Sequence, residues 1–173
     1  MQAATIHGTQ MRLLGMGRAF QPELMAMMAE VDLLSGLSLR ESEMLAPYLK
    51  AYEADSGCTI FREGDPGHYM CWLISGQVRT YKESGHDGPV DVAASSRLRV
   101  VGEMALVDGE PRSASCEAIK TSVLLLLARE SFAKLGEERP ALALKLMAGI
   151  AKLISRRLRM TSGQLVDLLA AQS

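Results

Sequence analysis

From residue 52 to residue 128 apolar residues come in short runs broken by turn formers, while on both sides of that stretch they recur every three or four positions. A chain patterned this way folds as helices, then many short strands, then helices. Strand candidates lie at 59–61, 70–74, 77–81, 90–93 and 98–101. Residues 122–127 form a continuous apolar run, as a strand buried on both faces requires. Asp55-Ser56-Gly57, Gly64-Asp65-Pro66-Gly67, Ser75-Gly76 and residues 84–89 supply the turns. Short strands at regular spacing predict a jelly roll or sandwich. The expected fold class is therefore α+β, with N-terminal helices, an antiparallel β-roll and a long C-terminal helix.

The flanking helices carry their own punctuation. Residues 22–34 open on Pro22, which suits a first helical turn. Leu24, Met27, Met28, Val31 and Leu34 then form one stripe, facing the core or a dimer mate. Ser38 and Glu41 have capping-box spacing, and the helix they start is expected to run to about Leu49. Pro140 reads as the start of a long helix. Along it Met147, Ile150, Ile154, Leu158, Thr161, Leu165 and Leu168 step by threes and fours, a coiled-coil-like seam interrupted by one polar residue. Gly149 and Gly163 in this helix predict close approach or a bend. Residues 1–20 show no clean period and read as an arm of unknown role. Residues 21–173 read as one domain: helices over 22–49, the β-roll over 52–128 and helices over 130–171.

Nineteen Lys and Arg against twenty Asp and Glu give no basic field of the kind that holds nucleic acid. Three widely spaced cysteines, Cys58, Cys71 and Cys116, read as reduced thiols packed in strands, which suits a cytoplasmic protein. No run approaches the roughly 20 apolar residues of a membrane span. Arg156, Arg157 and Arg159 read as a solvated face. His68 and His86 have no second histidine at metal-ligand spacing, so no metal is expected. No nucleophile–base pair is evident either, which argues against an enzyme.

Residues 100–115, VVGEMALVDGEPRSAS, combine an acid, an arginine and small residues. Arg112 offers a permanent charge and a fork of donors that matches phosphate oxygens. Ser113 and Ala114 keep the backbone open, so that main-chain N–H groups can face an anion. Gly102 allows close approach at a strand end. Glu103 repels a phosphate unless it has a hydroxyl to bind, and a ribose 2′-OH is such a hydroxyl. A 3′,5′-cyclic nucleotide carries one phosphate charge and leaves its 2′-OH free, so it matches both ends of the stretch. The competing reading is a structural Glu103–Arg112 ion pair.

GEMAL followed by PRSAS resembles the phosphate-binding cassette of cyclic nucleotide-binding domains. The run IFREGDPGHYMCWLISGQVRTY is similar to the β-roll of the same family, with its EGD-x-G turn and I-x-G-x-V strand pair. SRRLRMTSGQLVDLLA resembles the dimer helix of the family's catabolite-activator branch. The resemblance covers about residues 31–170. It implies that Arg112 and Ser113 hold the cyclic phosphate, with Ala114 beside them. Glu103 takes the ribose 2′-OH, and Gly102 with the backbone of Met104 and Ala105 lines the sugar. Thr161 and Ser162 meet the base from the long helix, which closes over the site as a lid and pairs with its dimer mate.

The expected function is a regulatory domain that binds a cyclic nucleotide, cAMP over cGMP, as a homodimer signalling to an unknown effector protein. No catalytic residues, cofactor or membrane contact are expected. Ala94-Ser95-Ser96-Arg97 stands where the family often has a Pro-Gly turn. No helix-turn-helix follows the dimer helix in these residues, so direct nucleic-acid binding is not expected. The alternatives are a ligand-free interaction module of the same fold, or a fragment of a DNA-binding regulator.

Overall fold

The computed structural model describes residues 10–31, 33–84, 88–93 and 100–171. Two long antiparallel strands form its spine, β4 (Tyr69–Ser84) and β7 (Ser115–Ala128). Shorter strands pair along their outer edges. β2 (Leu49–Ala54) and β3 (Thr59–Phe61) lie on β7, and β5 (Gly88–Ala93) and β6 (Val100–Val101) lie on β4. β1 (Arg12–Met16) extends the sheet beyond β2. This antiparallel seven-stranded β-roll packs against five α-helices among the described residues, in the expected α+β arrangement.

Alternation along the strands explains the apolar run of β7. Leu124 and Leu126 point into the roll with Tyr69, Cys71, Leu73 and Val78. Leu125 and Leu127 point the other way, onto the helices, with Met70 and Trp72. Both faces of the strand are covered, so every position is apolar. The helical layer consists of α1 (Gln21–Glu30), α2 (Leu39–Leu45), α4 (Arg129–Glu138) and the first half of α5 (Pro140–Ala171). Leu24 and Met27 of α1, with Val31 and Leu34 beyond it, are buried in that layer, so the methionine-bearing stripe faces the core. Gly149 lets α5 approach the 33–36 turn closely. A Cβ there would sit 2.6 Å from the Leu33 carbonyl oxygen.

Four local expectations are corrected. Ser75-Gly76 is not a turn between two strands. It is a bulge within β4, with Gly76 at φ +90° against Ser122, and the strand continues through it. Bulges and turns use the same residues. The helix opened by Ser38 ends at Leu45, and a 3-10 turn (Ala46–Tyr48) leads directly into β2. α1 ends at Glu30 rather than Leu34. The second half of the expected arm is structural, since Met11 is buried and β1 is in the sheet. Residues 1–9, His86 and the 94–97 segment lie outside the described residues. Among the described residues no helix is long and apolar enough to cross a membrane.

Candidate functional site

The 102–115 segment is held by the turn that precedes β4. Arg112 donates its backbone N–H to the Asp65 carbonyl at 2.8 Å and accepts from Gly64 N–H at 2.9 Å. Asp65 Oδ2 accepts from Arg62 N–H at 2.8 Å, which closes the turn. The hydroxyl of Ser115 accepts from Glu63 N–H at 3.0 Å. Gly67 lets the turn touch the short helix α3 (Glu103–Asp108), because a Cβ at Gly67 would overlap that of Ala105 at 2.1 Å. Arg129, the first residue of α4, donates to the Ala105 carbonyl and ties the end of α3 to the helical layer.

This scaffold buries Arg112 to 3% exposure. Its guanidinium carbon lies 4.2 Å from the Phe61 ring centroid and 4.6 Å from that of Tyr69. The two rings meet edge to face, and the Tyr69 hydroxyl donates to the Ile60 carbonyl. Nη1 donates to the Gly102 carbonyl at 3.0 Å, whereas Nε and Nη2 have no hydrogen-bond partner among the described residues. Burial pushes the guanidinium below its ordinary pKa, yet arginine stays charged. Asp65 lines the same cavity and acts on this charge without hydrogen-bonding it, and a buried charge so placed is costly unless something else pairs with it. Gly102 fits the arrangement twice over. It holds φ +76°, and a Cβ would stand 2.4 Å from Nη1.

Arg112 and Glu103 do not pair with each other, so the structural ion-pair reading fails. Glu103, 2% exposed, instead pairs with Arg157 of α5, whose Nη2 also donates to the Val100 carbonyl at 2.7 Å. Arg157 was expected on a solvated face and is the residue that sequence reasoning missed. The signal was present in the spacing. Ile150, Ile154 and Arg157 continue one inward stripe, and a charge that continues a buried stripe has a partner to meet.

The other expected residues are distributed as follows. Ala105 is buried in α3, Met104 is exposed, and the Ser113 hydroxyl lies 3.7 Å from the Met104 sulfur. Ala114 is half-buried beside them. Gly102, Glu103, Met104, Ala105, Arg112, Ser113 and Ala114 thus lie on one surface between β6, α3 and β7. Thr161 and Ser162 are exposed on α5, one turn beyond Arg157. A cavity of about 90 Å³ between Phe61, Pro66, His68, Tyr69 and Arg112 adjoins the guanidinium. A larger cleft of about 540 Å³, between the α2 region and α4, shares no lining residue with this surface.

The arrangement offers a buried guanidinium with two unpaired donors and, from the adjoining α3, a buried carboxylate. Those are the partners of an anion and a hydroxyl. The family model for the cyclic nucleotide-binding domain matches residues 52–139, just over half of the chain. The cAMP-dependent protein kinase regulatory subunit of Aspergillus niger is 38% identical over 122 residues, 69% of this chain and 29% of that protein. The cyclic AMP receptor protein of Thermus thermophilus is 33% identical over 138 residues, 80% of this chain and 62% of its own. A cyclic nucleotide-binding domain from Methylobacillus flagellatus superposes with a TM-score of 0.80 at 27% identity, covering 91% of this chain and 88% of that one. The chain therefore spans under a third of the kinase subunit and less than two thirds of the receptor. On the matched β-roll and the cassette it carries, the chain belongs to the cyclic nucleotide-binding domain family.

Proposed function

We infer that this domain binds cAMP in preference to cGMP and transmits its occupancy through α5. The observation that carries the reading is Arg112, buried among aromatic rings with Nε and Nη2 unpaired. One phosphodiester charge satisfies those donors and offsets the buried cation. Arg112 and Ser113 take the phosphate, with Ala114 alongside. Glu103 takes the 2′-OH, and Gly102 with the backbone of Met104 and Ala105 faces the sugar. Thr161 and Ser162 reach the base when α5 closes. The preference for cAMP is supported by the names of the kinase subunit and receptor that the chain resembles.

Binding shifts the balance between two placements of α5 relative to the β-roll. Leu158, Leu165, Leu168 and Leu169 are exposed along one face of the second half of this helix, and they form the homodimer seam. Output passes through that dimer surface or through an effector protein. The domain is a sensor, not a catalyst. The test is calorimetric titration with cAMP and cGMP, after unfolding and refolding to remove bound nucleotide. Tighter binding of cAMP supports the reading, and tighter binding of cGMP overturns the base assignment. Absence of binding to either from folded protein moves the function to a ligand-free interaction module.

A further inference from the structure

The cleft of about 540 Å³ on the helical layer draws its walls from three parts of the chain. The 3-10 turn before α1 (Gly17–Phe20) supplies Arg18. α2 and the turn that follows it supply Arg40 and an apolar floor of Met44, Pro47 and Tyr48. α4 and its C-cap supply Lys134, Glu138 and Arg139. With Glu43 as the second carboxylate, four cations meet two acids, and the lining holds two positive charges in excess. The whole chain has a net charge of −1, so this excess is local.

The four cations are not equivalent. Lys134 pairs with Glu138 at 3.7 Å, and Glu138 also accepts from the Tyr48 hydroxyl. Arg139 caps the C-terminus of α4, where the helix dipole favours positive charge. Those two are explained by the fold. Arg40 stands in the first turn of α2, where the dipole disfavours a cation. Neither Arg40 nor Arg18 pairs with a carboxylate among the described residues. The floor between them is fixed, since Met44 and Tyr48 pack against the core and Glu138 holds the Tyr48 hydroxyl. We propose that this cleft is a second ligand site, which binds an organic diphosphate of the nucleoside diphosphate class. Two phosphate charges match the excess of two and give each free guanidinium fork an anion. The organic body rests on Met44, Pro47 and Tyr48. The volume lies within the roughly 300–1,000 Å³ of small-molecule sites. Because the cleft shares no lining residue with Arg112 and its cavity, the proposal does not depend on the cyclic nucleotide reading.

The test titrates the full chain with ADP and with inorganic pyrophosphate, both free of metal ions. Arg18→Gln and Arg40→Gln remove the two unpaired charges, and both positions are exposed, so the fold is kept. Lys120→Gln removes one charge from an exposed position of β7 outside the cleft, and Arg112→Met removes the cassette's cation. ADP should saturate one site per chain in wild type, with equal affinity in Lys120→Gln and Arg112→Met. Arg18→Gln and Arg40→Gln should each weaken it by about tenfold or more, the loss of one hydrogen-bonded charge. Pyrophosphate, which lacks the organic body, should bind about tenfold more weakly than ADP, as the loss of apolar contact requires. Absence of saturable ADP binding overturns the proposal. So does loss of binding in Arg112→Met, which places ADP in the cassette, or equal weakening by Lys120→Gln, which reduces the effect to overall charge. Pyrophosphate that binds as tightly as ADP overturns the part given to the floor. None of these outcomes turns on whether cAMP binds, so a failure here leaves the function reading standing.

Discussion

The Gly102 carbonyl accepts a 3.0 Å hydrogen bond from Arg112 Nη1, while the missing Cβ of Gly102 leaves the space in which that nitrogen lies. A backbone position in the left-handed region and a buried guanidinium are thereby fixed together. Gly102→Ala faces both a positive φ and a 2.4 Å overlap. It should destabilise the domain by about 1–3 kcal/mol, the cost of a strained backbone position. It should also weaken nucleotide binding, because Nη1 has to move. Urea unfolding beside titration checks both effects, and a variant with normal stability and affinity would falsify the placement of Arg112.

Arg112→Met should separate stability from function. The ligand-free fold carries a buried cation with unpaired donors, and replacing buried charge by an apolar side chain of similar volume is neutral or stabilising by about 1–4 kcal/mol. Arg112→Met should therefore equal or exceed the wild-type Tm without nucleotide, and should not rise in Tm when cAMP is added. A marked loss of stability would mean that the guanidinium serves the fold rather than a ligand.

A pH effect follows from the contact between α2 and α5. Glu41 accepts from Lys145 Nζ at 2.7 Å and from the Ser38 backbone and hydroxyl, and these contacts hold its carboxyl at about 2 against an ordinary 4.5. A depressed folded-state pKa contributes stability that is complete above the unfolded value. That contribution is lost as pH falls from 4.5 toward 2. Wild type should therefore exceed Glu41→Gln in stability by a margin that is constant above pH 5 and disappears near pH 2. A margin that does not change across that range contradicts the assignment.

Thiol chemistry tests the packing of the roll. Cys71 and Cys116 are buried, and burial pushes the Cys71 thiol up to about 12 and Cys116 in the same direction. Cys58 is half-buried near the end of the roll. In native protein a thiol-specific reagent should modify Cys58 first. Cys71 and Cys116 should react only at the rate of opening, since the thiolate is the reactive form. Rapid reaction at Cys71 would show that the ring-lined interior beside Arg112 is open to solvent.

What was legible in the sequence depended on how local its cause is. The bounds of β3, the Ser38–Glu41 box and the start of α5 at Pro140 are set by neighbours in the chain, and each stands where the pattern put it. β2 was illegible because Leu49-Lys50-Ala51 continues a helical pattern. Its strand state comes from pairing with residues 122–127, 68 to 78 positions away. The spacing along α5 predicts one continuous seam, yet it divides. Up to Ile154 it packs on its own chain, and from Leu158 onward it is exposed. Glu103 and Arg112 were each identified from their chemistry, but the cation that meets Glu103 lies 54 residues away. Only the face that carries Ile150 and Ile154 selects Arg157 over Arg156 and Arg159.

The central claim is that Arg112 is the phosphate partner of a cyclic nucleotide, and side-by-side calorimetry of wild type and Arg112→Ala with cAMP tests it most directly. Removing a buried charged hydrogen-bonding partner costs about 2–5 kcal/mol of binding, so the variant should bind at least thirtyfold more weakly, or not measurably. Equal affinity of the two folded proteins would contradict the account.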